Sequence, residues 1–476
     1  MTLSKKIGLF IAPALYLIIV NLPFEMVSEK GDAVIAVAVW MVVWWITEAV
    51  SISVTALLPL VLFPILGIMD IGDVGANYGS PIIFLFFGGF VLALALEKVN
   101  LHKRIALNII KITGTTPNKV VLGFMIATAA LSMWISNTAT AVVMLPIAMS
   151  VISLLIDDED GFTKADRNFA LSVMLGIAFA ANAGGIATVI GTPPNSVLIG
   201  LLENEYNTEI SFVKWMVFGV PFSSILLLII YWVLVKWMYP SGRLKLTASK
   251  ELIQEEIKKL GPTSGKEKQV LVIFGITVFL WIFRTIINGI WPELQLNDTI
   301  ISMMAAVAMF AVPYNLKKGD FIITWDDTTK LAWGILILFG GGLALAEGMS
   351  VSGIVDMVSA AIANSEISIL FTAILLITLM LFMTELMSNV ALTAVLIPVV
   401  AGIAIGLDIP MLYLLIPVTM ASSCAFMLPM ATPPNAIVFA SGHIKVHQMA
   451  RAGVVLNLIS VGLLVGMFQF VIPLLF

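Results

Sequence analysis

Thr192-Pro193-Pro194-Asn195 occurs a second time as Thr432-Pro433-Pro434-Asn435, and Ser136-Asn137 a second time as Ser388-Asn389. Phe87-Gly88-Gly89 likewise matches Phe339-Gly340-Gly341, and Leu145-Pro146 matches Ile397-Pro398. Three of these pairs share an offset of 252 residues, and the Thr-Pro-Pro-Asn pair an offset of 240. The 12 residues of difference have a home in a polar insert of the first copy, residues 157–168. Four matches in the same order make the chain a tandem repeat, whose two halves adopt one fold.

The chain has 476 residues, of which 60% are hydrophobic and 11% charged. Soluble domains carry about 25% charged residues, so this composition, with a mean hydropathy of +1.06, describes an all-α integral membrane protein. A net charge of −4 excludes a basic nucleic-acid surface. A single cysteine, Cys424, excludes an internal disulfide or a cysteine-held metal cluster, and three histidines (His102, His443, His447) leave little for zinc or haem. The reading is therefore of no organic cofactor and no nucleic-acid partner, with membrane lipid as the surrounding medium.

A crossing helix needs about 20 apolar residues. Eleven such spans are expected near 7–23, 33–50, 52–69, 82–98, 169–190, 210–238, 268–290, 297–313, 331–360, 411–428 and 447–475. The first lacks a small-residue cleavage site and reads as a retained helix rather than a signal peptide. Stretches 118–156 and 367–406 are too long for one helix and are interrupted at Ser-Asn, which predicts two re-entrant hairpins. With a cytoplasmic N-terminus and an external C-terminus, all of the 25 Lys and Arg except Lys30, Lys214 and Arg284 fall in or beside cytoplasmic segments. The basic segments are 98–119, 236–268 and 317–330, whereas Glu203, Glu205, Glu209, Glu293 and Asp298 mark external loops. Within 248–260, Ile253, Ile257 and Leu260 share one face and Glu255–Lys259 another, which predicts a helix lying along the cytoplasmic surface.

Each copy then holds five crossings and a hairpin, and an odd number of crossings inverts the second copy. Lys111 and Lys119 stand beside the mouth of the first hairpin, and no basic residue stands beside the second at 363–366. Inverted repeats are the architecture of secondary transporters, with the site where the repeats meet.

Ser136, Asn137 and Thr138 are capping residues between two apolar arms, so the hairpin turns there and a helix begins near Thr138. Its free N–H groups favour an anion. Carbonyls ending the first arm, with the oxygens of Ser132, Ser136 and Asn137, can gather round a small hard cation. The two Pro-Pro pairs cannot continue a helix but suit a first turn. The spans over 169–203 and 411–445 are therefore expected to break, with half-helices starting near Pro193 and Pro433. Unwound backbone at Gly184-Gly185, Gly191 and Ala431 would offer carbonyls to a polar cavity. No Lys or Arg occurs in 120–156, 169–213 or 332–444. An anion here must be met by helix N-termini, amides, hydroxyls and bound cations, so a co-bound Na⁺ supplies the positive charge. Two facing half-sites suit a small dicarboxylate.

Other features read as structural. Phe-Gly-Gly at 87–89 and 339–341 suits close helix packing. Glu385 is expected to bond within its own hairpin, with Glu48 and Glu347 in similar structural roles. Cys424 reads as buried packing and the histidines as solvated.

The duplicated Ser-Asn-Thr/Val tips, the two Thr-Pro-Pro-Asn breaks and Trp44-Trp45-Ile46-Thr47-Glu48-Ala49 resemble the divalent anion–sodium symporter family of INDY-type carboxylate transporters over essentially the whole chain. The resemblance implies a homodimer with an elevator-type mechanism. Its scaffold would be 1–114 and 266–365, its transport parts 115–240 and 366–476, and its interfacial arm 241–265. It implies one sodium site at Ser132, Ser136, Asn137 and the Gly191 carbonyl, and a second at Thr384, the Met387 backbone, Asn389 and the Ala431 carbonyl. Substrate would meet Ser136, Asn137, Thr138, Ser388, Asn389, Thr192, Pro193, Thr432 and Pro433. Many bacterial relatives repeat Ser-Asn-Thr, but this chain has Val390, which cannot donate a hydrogen bond and opens the choice between a C4-dicarboxylate and citrate. The expectation is sodium-coupled symport of succinate, malate or fumarate across the cell membrane. The alternatives are a sodium-independent exchanger or a citrate- or sulfate-preferring carrier. An enzyme is disfavoured, because the chain has no paired intramembrane aspartates, His-rich site or Ser-His dyad.

Overall fold

The computed structural model describes residues 3–21, 27–114, 116–156, 163–241, 247–317, 319–363 and 367–476. The loop at Pro23, residues 157–162 of the polar insert and residues 364–366 at the second hairpin's mouth lie outside them. Among the described residues the chain is helical apart from one short antiparallel pair, β1 (Pro313–Asn315) with β2 (Asp320–Phe321). Nine helical stretches among the described residues are long and apolar enough to cross a membrane.

The chain opens with α1 (Leu3–Asn21), α2 (Glu29–Thr47), α3 (Ile52–Thr55), α4 (Leu58–Ile65) and α5 (Ile71–Tyr78). The single span expected over 52–69 is therefore two short helices. α6 (Pro81–Lys98) is followed by α7 (Leu101–Thr113), an amphipathic helix where only a basic connection was expected. The first hairpin is α8 (Pro117–Ser132) and α9 (Asn137–Ile156). α10 (Lys164–Gly185) begins inside the polar insert, where Thr163 and Asp166 cap each other's backbone N–H groups at 2.7 and 3.3 Å. α11 (Pro193–Tyr206) follows the break, and α12 (Phe212–Tyr231) runs on into a π-helical segment, Trp232–Met238.

α13 (Thr247–Lys259) is the expected surface helix, with Glu255 and Lys259 paired at 3.2 Å, but Ile253 on its apolar face is buried. That face packs on α7 and α9, so protein rather than lipid covers it. Arg104 of α7 holds the end of this arm, donating to the Leu260 and Gly261 carbonyls at 3.2 and 3.0 Å and to Glu267 at 2.6 Å.

The second half runs through α14 (Gly265–Ile290), α15 (Asp298–Ala311), α16 (Trp333–Val351) and α17 (Ile354–Ala363). The span expected over 331–360 bends between the last two, at Gly353 with φ +82°, a backbone that glycine adopts without strain. The second hairpin is α18 (Ile369–Met383) and α19 (Asn389–Gly406), followed by α20 (Leu412–Ala421), α21 (Pro433–Phe439), α22 (Val446–Gly466) with a π segment, and α23 (Ile472–Leu475). α6, α7, α8 and α9 thus recur as α16, α17, α18 and α19, and α11 recurs as α21.

The copies interlock. α11 packs on α19 and α20 of the second copy, and α21 packs on α9 and α10 of the first. Small residues allow the approach, as expected for Phe-Gly-Gly. Gly88 faces Ser302, whose carbonyl lies 2.6 Å from where a Cβ would stand, and Gly341 faces the Ala56 carbonyl. At the basic end, burial works against ionisation of Asp327. The Lys98 ammonium at 2.6 Å and the Thr324 N–H and hydroxyl outweigh it and hold the carboxyl at about 2. His102, expected in solvent, is buried with Nδ1 3.0 Å from the Leu96 carbonyl.

Because the Ala56 backbone cannot yield cheaply, Gly341→Val should lose about 1–3 kcal/mol of stability. Thermal unfolding in detergent checks this, and a wild-type midpoint would mean that this contact is loose.

Candidate functional site

The first hairpin turns at Met133–Ser136, and α9 starts at Asn137, one residue earlier than expected. The Ser136 hydroxyl accepts from Ala139 N at 3.2 Å, which caps the new helix. Ser132, at the end of α8, is fully buried, and its hydroxyl lies within hydrogen-bond reach of both Oδ1 of the Asn137 amide and the Ala181 carbonyl, the latter at 2.8 Å. The same terminal atom of the Asn137 amide lies 3.2 Å from the Ala181 carbonyl and 3.3 Å from the Gly191 carbonyl. With nitrogen turned to that position the amide donates to both carbonyls. With oxygen there, Ser132 Oγ, Asn137 Oδ1 and two carbonyls converge, an arrangement that a cation makes favourable. Gly185 leaves room for it, since a Cβ there would stand 2.7 Å from Asn137 Oδ1.

The second hairpin repeats the pattern. Thr384 Oγ1 lies 2.6 Å from Asn389 Oδ1 and 2.8 Å from the Ser422 carbonyl, with one proton to donate between them. Thr384 and Asn389 stand 252 residues after Ser132 and Asn137. The donor set is hydroxyl, amide and carbonyl oxygen in both copies, which suits a hard monovalent cation. No group of three or more His, Cys, Asp or Glu that could hold a metal ion occurs among the described residues.

The expected breaks are present, at 186–192 and 422–432. Thr192 and Thr432 are N-caps, and both are buried. Asn195 donates to the Thr188 carbonyl at 2.8 Å, and Asn435 donates to the equivalent Leu428 carbonyl at 3.0 Å. The last Asn of each Thr-Pro-Pro-Asn therefore satisfies its own unwound segment. The structure brings Ser132, Asn137 and Gly191 into one cluster, and Thr384 and Asn389 into another. Ser136, Thr138 and Pro433 are exposed beside them, while Pro193, Met387, Ser388 and Val390 are half-buried and Ala431 is buried. The side chains of Leu386 and Met430 are 70% and 76% exposed, so the rim of the second half is apolar.

Glu385 corrects an expectation. It does not bond within its hairpin; its carboxylate accepts from Phe426, Met427 and Leu428 N at 2.8, 2.9 and 3.1 Å, and from Asn457 Nδ2 at 2.7 Å. It ties the hairpin to the unwound segment and to α22. Glu347 accepts from Asn77, and Glu48 is exposed and paired with Lys5 at 3.2 Å. Sequence reasoning missed Ala181, Asn182, Ser422 and Ser423. A lone Asn in the apolar helix α10 was the one signal among them.

The family profile described as "Sodium:sulfate symporter transmembrane region" matches residues 3–476. The "Sodium-dependent dicarboxylate transporter SdcS" of Staphylococcus saprophyticus is 40% identical over 477 residues, covering 99% of this chain and 92% of that protein. SdcS of Staphylococcus aureus is 39% identical over 482 residues, with the same coverage. Among solved structures, the Alcanivorax borkumensis YdaH transporter has a TM-score of 0.54 at 12% identity, covering 84% of this chain and 88% of its own. Neisseria gonorrhoeae MtrF has a TM-score of 0.50 at 12% identity, covering 98% and 94%. Both speak to the fold, that of a membrane transporter.

Glu385→Ala leaves three backbone N–H groups and the Asn457 amide without an acceptor, each costing about 1–3 kcal/mol. It should unfold at markedly lower temperature than Glu385→Gln, which keeps one acceptor oxygen; equal midpoints would show that the carboxylate does not hold the loop.

Proposed function

The chain belongs to the sodium:sulfate symporter family, the divalent anion–sodium symporters, and on that premise we propose that it couples sodium entry to the uptake of a C4-dicarboxylate such as succinate, malate or fumarate. The carrying observation is the pair of oxygen clusters, Ser132–Asn137–Gly191 and Thr384–Asn389, each beside a helix N-terminus and with no basic side chain in the surrounding sequence. Oxygens alone repel a carboxylate. Sodium bound in each cluster supplies the charge, and the N–H groups opening α9 and α19 supply hydrogen bonds. Substrate affinity then depends on sodium, which is the physical content of coupling.

In this reading Ser136, Asn137, Thr138, Ser388, Asn389, Thr192, Pro193, Thr432 and Pro433 border the anion, and the Met387 and Ala431 carbonyls join the second cation site. Val390 presents a methyl wall where a hydroxyl would donate. The two hairpins and broken helices form the moving part of an elevator-type carrier, in a homodimer with a cytoplasmic N-terminus. The names of the curated relatives support sodium and a dicarboxylate.

The test is radiolabelled succinate uptake into proteoliposomes with an inward sodium gradient, against potassium or choline. Uptake into empty vesicles only with sodium is expected. Uptake only into succinate-loaded vesicles, indifferent to sodium, would mean an exchanger. Asn137→Ala and Asn389→Ala should each weaken uptake at least about tenfold, equivalent to 1.4 kcal/mol of lost binding, while remaining folded. Wild-type uptake by either would remove the site assignment. Val390→Thr should shift preference from citrate toward succinate; an unchanged ratio would show that this wall does not discriminate.

A further inference from the structure

Residues 181–182, near the end of α10, and residues 422–423, directly after α20, take corresponding hydrogen-bonding places in the two copies. The Ala181 carbonyl accepts from Ser132 at 2.8 Å and the Ser422 carbonyl accepts from Thr384 at 2.8 Å, so each serves the cluster of its own hairpin. The next residue crosses over. Asn182 Nδ2 donates to Thr432 Oγ1 at 3.2 Å and to the Ala425 carbonyl at 3.0 Å, both in the other copy. Ser423 Oγ lies 3.5 Å from Thr192 Oγ1, again in the other copy. Asn182 is 1% and Ser423 is 2% exposed, so neither contact is shared with bulk water.

From this reciprocity we infer that Asn182 and Ser423 are positioning residues that couple the two cation clusters, so that filling one raises the affinity of the other. The inference rests on the sodium-symport reading. A cation drawn onto the Ala181 carbonyl fixes the peptide that carries Asn182. That side chain in turn fixes the Thr432 hydroxyl, the N-cap of α21, and the unwound backbone at Ala425. The Ser422–Ser423 pair transmits in the opposite direction, to the N-cap of α11. Because binding free energies are linked, the coupling is reciprocal. Neither side chain supplies an oxygen to a cluster. Their removal therefore leaves the ligand sets whole and removes the communication between them.

The experiment is the sodium dependence of succinate uptake in proteoliposomes for wild type, Asn182→Ala, Ser423→Ala and Ser423→Thr, with thermal unfolding in detergent as the check on folding. Wild type should activate with a Hill coefficient above one. Both alanine variants should fall toward about one with half-saturating sodium raised about fivefold or more, the span of ordinary coupling. Ser423→Thr, which keeps the hydroxyl, should stay near wild type. Should Asn182→Ala not fold, the Ser423 pair decides. Sodium-dependent wild-type uptake with an unchanged Hill coefficient in the alanine variants overturns this inference and leaves symport standing, as does a wild-type coefficient of one. Wild-type uptake indifferent to sodium removes both.

Discussion

A backbone N–H or carbonyl in hydrocarbon must find a partner inside the protein, and the two broken helices each unwind where water is scarce. In the first copy the freed groups are mainly carbonyls. Ile186 O receives Trp215 Nε1 at 3.0 Å, Ala183 O receives Ser223 Oγ at 2.7 Å, and Thr188 O receives Asn195 Nδ2 at 2.8 Å. In the second copy the freed groups include three consecutive N–H donors, and the Glu385 carboxylate takes all three. What these donors leave over, the carbonyls of Gly191 and Ser422, lies beside the hairpin clusters, together with the Ala181 carbonyl near the end of α10. The carbonyls proposed as cation ligands are thus mostly the remainder of a backbone already satisfied elsewhere.

The copies are alike at the clusters and unlike behind them. α20 stops at Ala421, whereas α10 runs to Gly185, so the second unwound segment is the longer one. The extra turn of unwound chain exposes the N–H groups that an acidic residue must meet. Thr384 and Glu385 divide the work at adjacent positions, the hydroxyl facing the cluster and the carboxylate facing the loop. The first copy has Met133 in place of Glu385, and its carbonyl accepts from Thr188 Oγ1 at 2.6 Å. With four donors on it, the carboxylate is satisfied locally, away from the hairpin cluster.

The repeat, the hairpins and the helix breaks were legible because proline, glycine and capping residues have few ways to sit in an apolar run. α7 was not, because Lys103, Arg104 and Lys111 made an amphipathic helix look like a basic loop. The burial of Ile253 was hidden for a related reason, since an apolar stripe has the same spacing whether lipid or protein covers it. Ser132, Asn137, Thr384 and Asn389 could be found from duplication. The Ala181 and Ser422 carbonyls could not, because any residue supplies a carbonyl and only the path of the backbone decides where it points. The partners of Glu385 are not legible, because sequence distance is a poor guide once a helix unwinds about 40 residues away.

Connectivity and packing cut the molecule differently, and the difference bears on how it would move. By sequence α11 belongs with α9, and by contact it lies on α19; α21 makes the mirror choice. Hairpins and broken helices of both copies are therefore one body, with both clusters inside it and their crossing hydrogen bonds buried. Where that body meets α6 and α16, Gly200 faces Ile82 and Leu343, and Gly342 faces Ala394, small apolar surfaces without directional bonds. At its rim Trp134 stacks near Phe212 and Trp281, beside the hydrogen bond from Phe212 N to Asp298. The directional bonds to the neighbours are few and lie at one end, where Asp298 accepts from Phe212 N at 2.6 Å, Arg284 pairs with Glu209 at 2.8 Å and Ser80 donates to Asn204 at 3.2 Å; breaking them would leave the distances inside each cluster unchanged. The proposed elevator therefore has to exchange a small polar set at one end while the apolar glycine contacts slide, and the internal bonds of the clusters lie outside that set.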